Sequence, residues 1–295
     1  MNSELFLERR RLIKKCFSYR AMTVVLALGL TGLLLSKTNE KIQELNFIDD
    51  CIVKIIIDGG ISPEKMDVSK IDNLIEQDKI KAIIVEVNSP GGESAHSERI
   101  YSSIRKLSEK KPVVTKMMSV ACSGGFMIAM AGDYIFASNT TMTGSIGVVL
   151  PTFNFTGVIE KIGIESKVLR SGSVKYFPNR FEKISPEAEE TLQEALVSTH
   201  NFFKELVSSR RNIPLEDLEI LADGRIYTGR QAKELKLIDD TYGTETEIKD
   251  WLVKHKGIDK ALEIKNVDIS IPDSISRMPI KFLVDTALGY LGINF

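Results

Sequence analysis

Three short glycine-marked segments and one loop lysine carry the residue types from which acyl-transfer chemistry can be built. The first segment is Asn88-Ser89-Pro90-Gly91-Gly92. Paired glycines let backbone N–H groups approach a bound group closely, although Ser-Pro-Gly-Gly alone is equally an ordinary strand-to-helix turn. The second is Ala121-Cys122-Ser123-Gly124-Gly125-Phe126. A serine between a strand and a short apolar helix sits at a helix N-terminus, where free N–H groups and the helix dipole favour an oxyanion. Taken by itself, Ser123 reads as a helix N-cap. The third is Thr143-Gly144-Ser145-Ile146-Gly147, followed by the loop Ser171-Gly172-Ser173-Val174-Lys175. A lone loop lysine is ordinarily a solvated charge; here it is the joint occurrence and order of the segments that points to chemistry.

A serine hydroxyl is a weak nucleophile and needs a base beside it. A solvated lysine, with a pKa of about 10.4, is protonated at neutral pH and cannot serve. Desolvation lowers such a pKa by up to about 3–5 units, so a lysine base has to dock in a water-poor site. Tyr176 and Phe177 beside Lys175 could help exclude water, and Arg170 and Arg180 would favour the neutral amine further if they lie near.

The elements that must position these residues alternate. Cys51–Ile57 is β-branched and strand-like, Val68–Gln77 reads as a helix, and Ile80–Val87 as a buried strand. Glu93–Lys110 is helical, Pro112–Met117 a strand, Ser123–Ala131 a short apolar helix, and Asp133–Ala137 a strand. A helix ends over Ile159–Gly163, and Glu165–Arg170 is again strand-like. Strands alternating with helices predict an α/β fold with a mainly parallel sheet, whose ligands gather at the carboxyl ends of the strands. Ser185 as N-cap and Pro186 at the first helical position start a long helix to about Arg211. Shorter helices follow near Leu215–Leu221, Gly229–Leu235 and Thr244–Lys256. Gly257–Pro279 shows little periodicity, and Ile280–Leu291 is apolar.

The chain of 295 residues carries a net charge of −1, with 43% hydrophobic and 27% charged residues. That is the profile of a folded protein and gives no footprint for nucleic-acid binding. Cys16, Cys51 and Cys122 form no C-x-x-C pair, and His96, His200 and His255 are scattered. Neither a metal nor a cofactor is expected.

Basic residues gather at the amino terminus. Arg9, Arg10, Arg11, Lys14, Lys15 and Arg20 precede the uncharged run Ala21–Ser36. As a helix rising ~1.5 Å per residue the run spans about 24 Å, against a hydrocarbon core of ~30 Å. It ends Leu34-Leu35-Ser36-Lys37, without the small-residue pattern of a cleavage site. The expectation is an uncleaved signal anchor: 1–20 basic and cytoplasmic, 21–36 transmembrane, 37–50 a linker. The positive-inside rule then puts the remainder, a domain over 51–256 and a carboxyl-terminal extension over 257–295, on the non-cytoplasmic side of a bacterial inner membrane.

Taken together, these segments resemble the signal peptide peptidase A family of serine proteases. The resemblance rests on Asn88–Gly92, Ser123–Gly125 with Ala131-Gly132-Asp133-Tyr134-Ile135-Phe136-Ala137, Thr143–Gly147 and Ser171–Lys175. It is completed by Ala222-Asp223-Gly224-Arg225-Ile226-Tyr227-Thr228-Gly229-Arg230-Gln231-Ala232, and it spans about Cys51 to Trp251. It implies a Clp protease/crotonase-like fold of repeated strand-strand-helix units. It implies Ser123 as nucleophile, Lys175 as general base and Ser145 as the serine that hydrogen-bonds that base. It also implies Gly91 and Gly124 as oxyanion-hole donors, with either glycine of the Gly91-Gly92 pair open to alignment. Cys122 stands where the family most often has alanine. The expected substrates are signal-peptide remnants and other short or unfolded apolar peptides. Because each motif occurs once, the resemblance further implies a homo-oligomer in which Lys175 of one subunit reaches Ser123 of the next.

Other readings use the same fold. A Clp-type Ser–His–Asp site needs a histidine soon after Ser123, and none occurs between His96 and His200. A crotonase-like acyl-CoA enzyme needs no anchor. An inactive scaffold would not need Ser123, Ser145 and Lys175 together.

Overall fold

The structure, a computed structural model, describes residues 47–271. The basic segment 1–20, the anchor 21–36, most of the linker and the apolar tail Ile280–Leu291 lie outside the described residues. Among the described residues, no helix is long and apolar enough to cross a membrane.

The core is a sheet of eight strands. Its centre is β1 (Cys51–Asp58), β2 (Ile80–Ser89) and β3 (Val113–Cys122), paired in parallel. Their sequences CIVKIIID, IKAIIVEVNS and VVTKMMSVAC are nearly continuous apolar runs. This is what strands covered on both faces require. On one face Ile52, Ile84 and Val114 pack against Ile248 and Leu252 of α8 (Glu245–Lys256). Elsewhere α2 (Ser94–Lys110) buries Ile100, Ile104 and Leu107, the spacing of one helical stripe. The short α3 (Gly124–Ala129) is buried at every position.

β3 serves two neighbours in turn. Val114–Met117 pairs with β4 (Tyr134–Ala137), and Val120–Cys122 pairs with β5 (Met142–Gly144). The sequence predicts this strand only to Met117; it runs on to Cys122 because β5 supplies a second partner. β5 in turn pairs with β6 (Ile226–Thr228), the antiparallel step in the sheet, and β7 (Asp240–Thr241) pairs with β4.

Three sequence expectations change. The helix expected over Val68–Gln77 is only α1 (Ser69–Asp72). Beyond it Leu74 and Ile75 donate to Ile71 and Asp72, three residues back, which makes turns and not a helix. Glu165–Arg170 forms no strand: it has no neighbouring strand to pair with, and Leu169 is 88% exposed. Residues 263–268, which the reading placed in an extension beyond the domain, form β8 (Glu263–Asp268), parallel to β1. EIKNVD is charged because β8 is an edge strand, where charge discourages pairing with other chains.

α4 (Thr156–Lys161) has no buried residue. It lies within 149–184, a stretch whose apolar side chains are widely exposed, among them Val149, Phe153, Ile162, Leu169 and Tyr176. α5 (Pro186–Arg211) begins as the sequence predicts, with Ser185 Oγ accepting from the Ala188 N–H at 3.2 Å. Phe203 of α5 packs on Phe126 of α3, ring centroids 6.5 Å apart. At the far end of α5, Arg210 donates to the carbonyls of Met130 and Gly132, while Arg105 of α2 donates to that of Ala131. The carbonyls at the buried end of α3 are thereby satisfied. α6 (Leu215–Leu221) and α7 (Gly229–Glu234) follow, the latter started by a Thr228–Gln231 capping box.

Candidate active site

Ser123 stands at the junction of β3 and α3, at the carboxyl end of the sheet. Its backbone, at φ 51° and ψ −121°, is in a region that a residue with a Cβ seldom adopts. Such a conformation costs on the order of 1–3 kcal/mol and persists only when the surroundings impose it. They do so from both sides. The Ser123 N–H donates to the Gly144 carbonyl at 2.9 Å, and its carbonyl accepts from Met127 at 2.9 Å as the first turn of α3. Its side chain makes no capping hydrogen bond. Ser123 thus occupies the N-cap position without using its hydroxyl there, and Oγ is left for other work.

Gly91 lies directly against this serine. A Cβ at Gly91 would fall 2.8 Å from Ser123 Cβ and 2.9 Å from the Gly124 nitrogen, and Gly91 itself is at φ 105°. Gly92 instead abuts the backbone of Ile61, which pairs with the same loop: the Ile61 N–H donates to Gly91 O, and the Glu93 N–H to Ile61 O. Of the two glycines, Gly91 is therefore the one placed beside Ser123 and Gly124. Its N–H donates to Ser89 Oγ at 3.1 Å. Gly124, first residue of α3, is pressed against Ser97 of α2 and leaves no room for a side chain.

Cys122, the neighbour of Ser123, is buried, and burial pushes its thiol above the ordinary value. A thiol held protonated in this way is a poor nucleophile.

Ser145 follows Gly144, whose carbonyl holds Ser123. Both are in the left-handed region, at φ 83° and 52°. The Ser145 N–H donates to Arg225 O at 2.8 Å. Lys175 is exposed, in a turn where its N–H donates to Gly172 O at 3.1 Å. Tyr176 beside it is 65% exposed. Arg170 lies over the Phe177 ring and pairs with Glu182.

The cleft at Ser123 is lined by Gly92, Ser94, Gly124, Met127, Gly147, Val148, Thr199 and Phe203. None of these side chains ionises, so within one chain no base lines the cleft among the described residues. Lys175 is not brought to it. Sequence reasoning did not anticipate Thr199 and Phe203. Their spacing marks one face of α5, but nothing local says which cleft that face borders. Ser89 Oγ and the Ile61 backbone were missed for the same reason. Among the described residues, no group of three or more His, Cys, Asp or Glu is arranged to hold a metal ion.

The family model for peptidase family S49 matches residues 105–259, a range that includes Ser123, Ser145 and Lys175. A putative protease of Synechocystis is 37% identical over 209 residues, covering 70% of this chain and 75% of that protein. A putative signal peptide peptidase SppA of Enterococcus faecium is 38% identical over 198 residues, covering 65% of this chain and 57% of that protein. A chloroplastic serine protease SPPA of Arabidopsis thaliana is 33% identical over 216 residues, covering 71% of this chain but only 32% of that protein. The motifs and these matches agree, and the chain belongs to peptidase family S49, the signal peptide peptidase A family of serine peptidases.

Proposed function

We propose that this chain is a membrane-anchored endopeptidase working through a Ser–Lys dyad, on a Clp protease/crotonase-like fold. Ser123 attacks the scissile carbonyl, and Lys175 takes the hydroxyl proton and later delivers it to the leaving amine. Ser145 hydrogen-bonds Lys175. The N–H groups of Gly91 and Gly124 receive the negative charge of the tetrahedral intermediate. The Gly91 N–H rests on a neutral serine hydroxyl; a charged oxygen is the stronger acceptor and can displace it.

The observation that carries the reading is the strained Ser123, its hydroxyl free of capping duty, facing Gly91 and Gly124 at the mouth of a cleft. That no ionising side chain among the described residues lines the cleft, together with an exposed Lys175, favours a base supplied by a second copy of the chain. The exposed apolar side chains between Val149 and Ile184 are a surface that such a homo-oligomer would cover, and covering it would take water from around the lysine. The segment 21–36 is the proposed anchor, with the peptidase domain on the non-cytoplasmic side. Short or unfolded apolar peptides, signal-peptide remnants among them, are the proposed substrates. No nucleic acid takes part.

Labelling with a fluorophosphonate and mapping the adduct tests the nucleophile. The adduct is expected on Ser123 Oγ; an adduct on Cys122 or on another serine would contradict the assignment. A second test uses Gly91→Ala. The added Cβ meets Ser123 Cβ at 2.8 Å in a backbone region disfavoured for alanine. A displacement of that kind at the reacting centre is expected to lower kcat about a hundredfold. Unchanged kcat in a folded Gly91→Ala protein would remove Gly91 from the site.

A further inference from the structure

The Ala222–Ala232 segment contributes to the family resemblance, but neither the dyad nor the oxyanion hole uses it. Its place in the fold is directly behind the Gly144-Ser145 turn. Two successive residues in the left-handed region do not hold themselves, because for the serine that conformation is unfavourable. Yet this turn supplies the carbonyl that fixes the Ser123 N–H and carries Ser145.

Tyr227 is 6% exposed, and its hydroxyl donates to Leu221 O at 3.0 Å, which fixes the ring. The ring edge presses on Gly144: a Cβ there would lie 2.7 Å from Tyr227 Cδ2 and 3.4 Å from Cε2. β6 pairs Tyr227 with Thr143 and Ile226 with Gly144, and the hydroxyl of Thr143 donates to Ala121 O at 2.7 Å, tying β5 to β3. One residue earlier, Arg225 O accepts the Ser145 N–H at 2.8 Å. Arg225 is itself held in a turn about Gly224 by Asp223, whose Oδ1 accepts from the Arg225 backbone N–H at 3.0 Å and from Nε at 2.8 Å. Hydrogen bonds from Arg225 lower the pKa of the Asp223 carboxyl to about 2.

We infer that Tyr227 is a positioning residue for peptide hydrolysis. By packing its ring on Gly144 it holds the Gly144-Ser145 turn in the left-handed conformation that keeps Ser123 aimed at the substrate carbonyl. The Asp223–Arg225 turn holds the other end of the same two residues. This inference rests on the reading of Ser123 as nucleophile.

The experiment compares Tyr227→Leu, Tyr227→Phe and the unchanged full-length protein, reading kcat, KM, the rate of fluorophosphonate labelling at Ser123 and Tm. Tyr227→Leu keeps an apolar group in the buried site but removes the ring edge from Gly144. It is expected to lower kcat and the labelling rate together, by about 30- to 100-fold, with KM within about threefold, because the cleft walls do not include Tyr227. Tyr227→Phe keeps the ring and is expected to restore both rates to within about threefold, the effect of one lost hydrogen bond. Tyr227→Leu protein that labels and turns over at the unchanged rate would overturn the inference while leaving Ser123 as nucleophile. Unchanged protein that labels elsewhere would instead remove the nucleophile reading. Should Tyr227→Leu fail to fold, Asp223→Ala, on an exposed turn, reads the same support. A kcat about five- to tenfold lower with unchanged KM supports the inference, and unchanged kcat overturns it.

Discussion

Ser123→Ala is expected to lower kcat on an unfolded peptide by on the order of 10⁵-fold, the loss seen when one member of a nucleophile–base unit is removed. The fold should not notice. The Ser123 side chain makes no capping hydrogen bond, and its backbone is held through its N–H and carbonyl, both of which alanine retains. Serine and alanine both carry a Cβ, so the strained backbone costs the same in either, and removing a half-buried hydroxyl that has no capping partner changes stability by about 0.5 kcal/mol or less, which for a domain of this size moves Tm by about 1–2 °C. The measurement is a turnover assay beside a thermal melt. Loss of activity with an unmoved Tm is the expected pair, and full activity would remove Ser123 from the mechanism.

Lys175→Ala should be as inactive as Ser123→Ala, for the same reason of unit behaviour. Lys175→Arg is the sharper variant. Arginine keeps the positive charge and the reach, but its guanidinium is not deprotonated in proteins and so cannot accept the serine proton. If Lys175 served only as a fixed charge, Lys175→Arg would retain activity. As the base, it should fall with Lys175→Ala, by on the order of 10⁴-fold or more. Lys175 is solvent-exposed in the single chain, so either substitution should leave the Tm of the folded subunit almost unchanged.

The sequence was most informative where the physics is local. The start of α5 follows from Ser185 and Pro186, and the structure closes it with Asn212 in the left-handed conformation at φ 53°. The central strands were visible because burial on both faces leaves no polar alternation. What failed depended on neighbours distant in the chain. β8 is a strand only because β1 offers it an edge, and β3 runs past Met117 only because β5 lies beside Val120–Cys122. At the site, the family resemblance pointed to Ser123, Gly124 and one glycine of the Gly91-Gly92 pair, and Gly91 is the one that lies against Ser123 and Gly124. The resemblance could not say that α5 walls the cleft with Thr199 and Phe203. The Asp223–Tyr227 stretch was legible as a motif but silent as to purpose, because its contacts run to residues some eighty positions earlier.

The central claim is a Ser–Lys site shared between copies of the chain, and mixing two dead proteins tests it most directly. Lys175→Ala and Ser123→Ala proteins, each inactive, are unfolded together, refolded and assayed. If neighbours in a head-to-tail assembly combine at random, about a quarter of the interfaces join an intact serine to an intact lysine. The account predicts that the mixture recovers activity of about that fraction of the unchanged protein, while each variant refolded alone stays inactive. A mixture that remains inactive, although mixed oligomers are demonstrated by tagging one variant and recovering the other with it, would contradict a shared site and return the base to the subunit that carries Ser123.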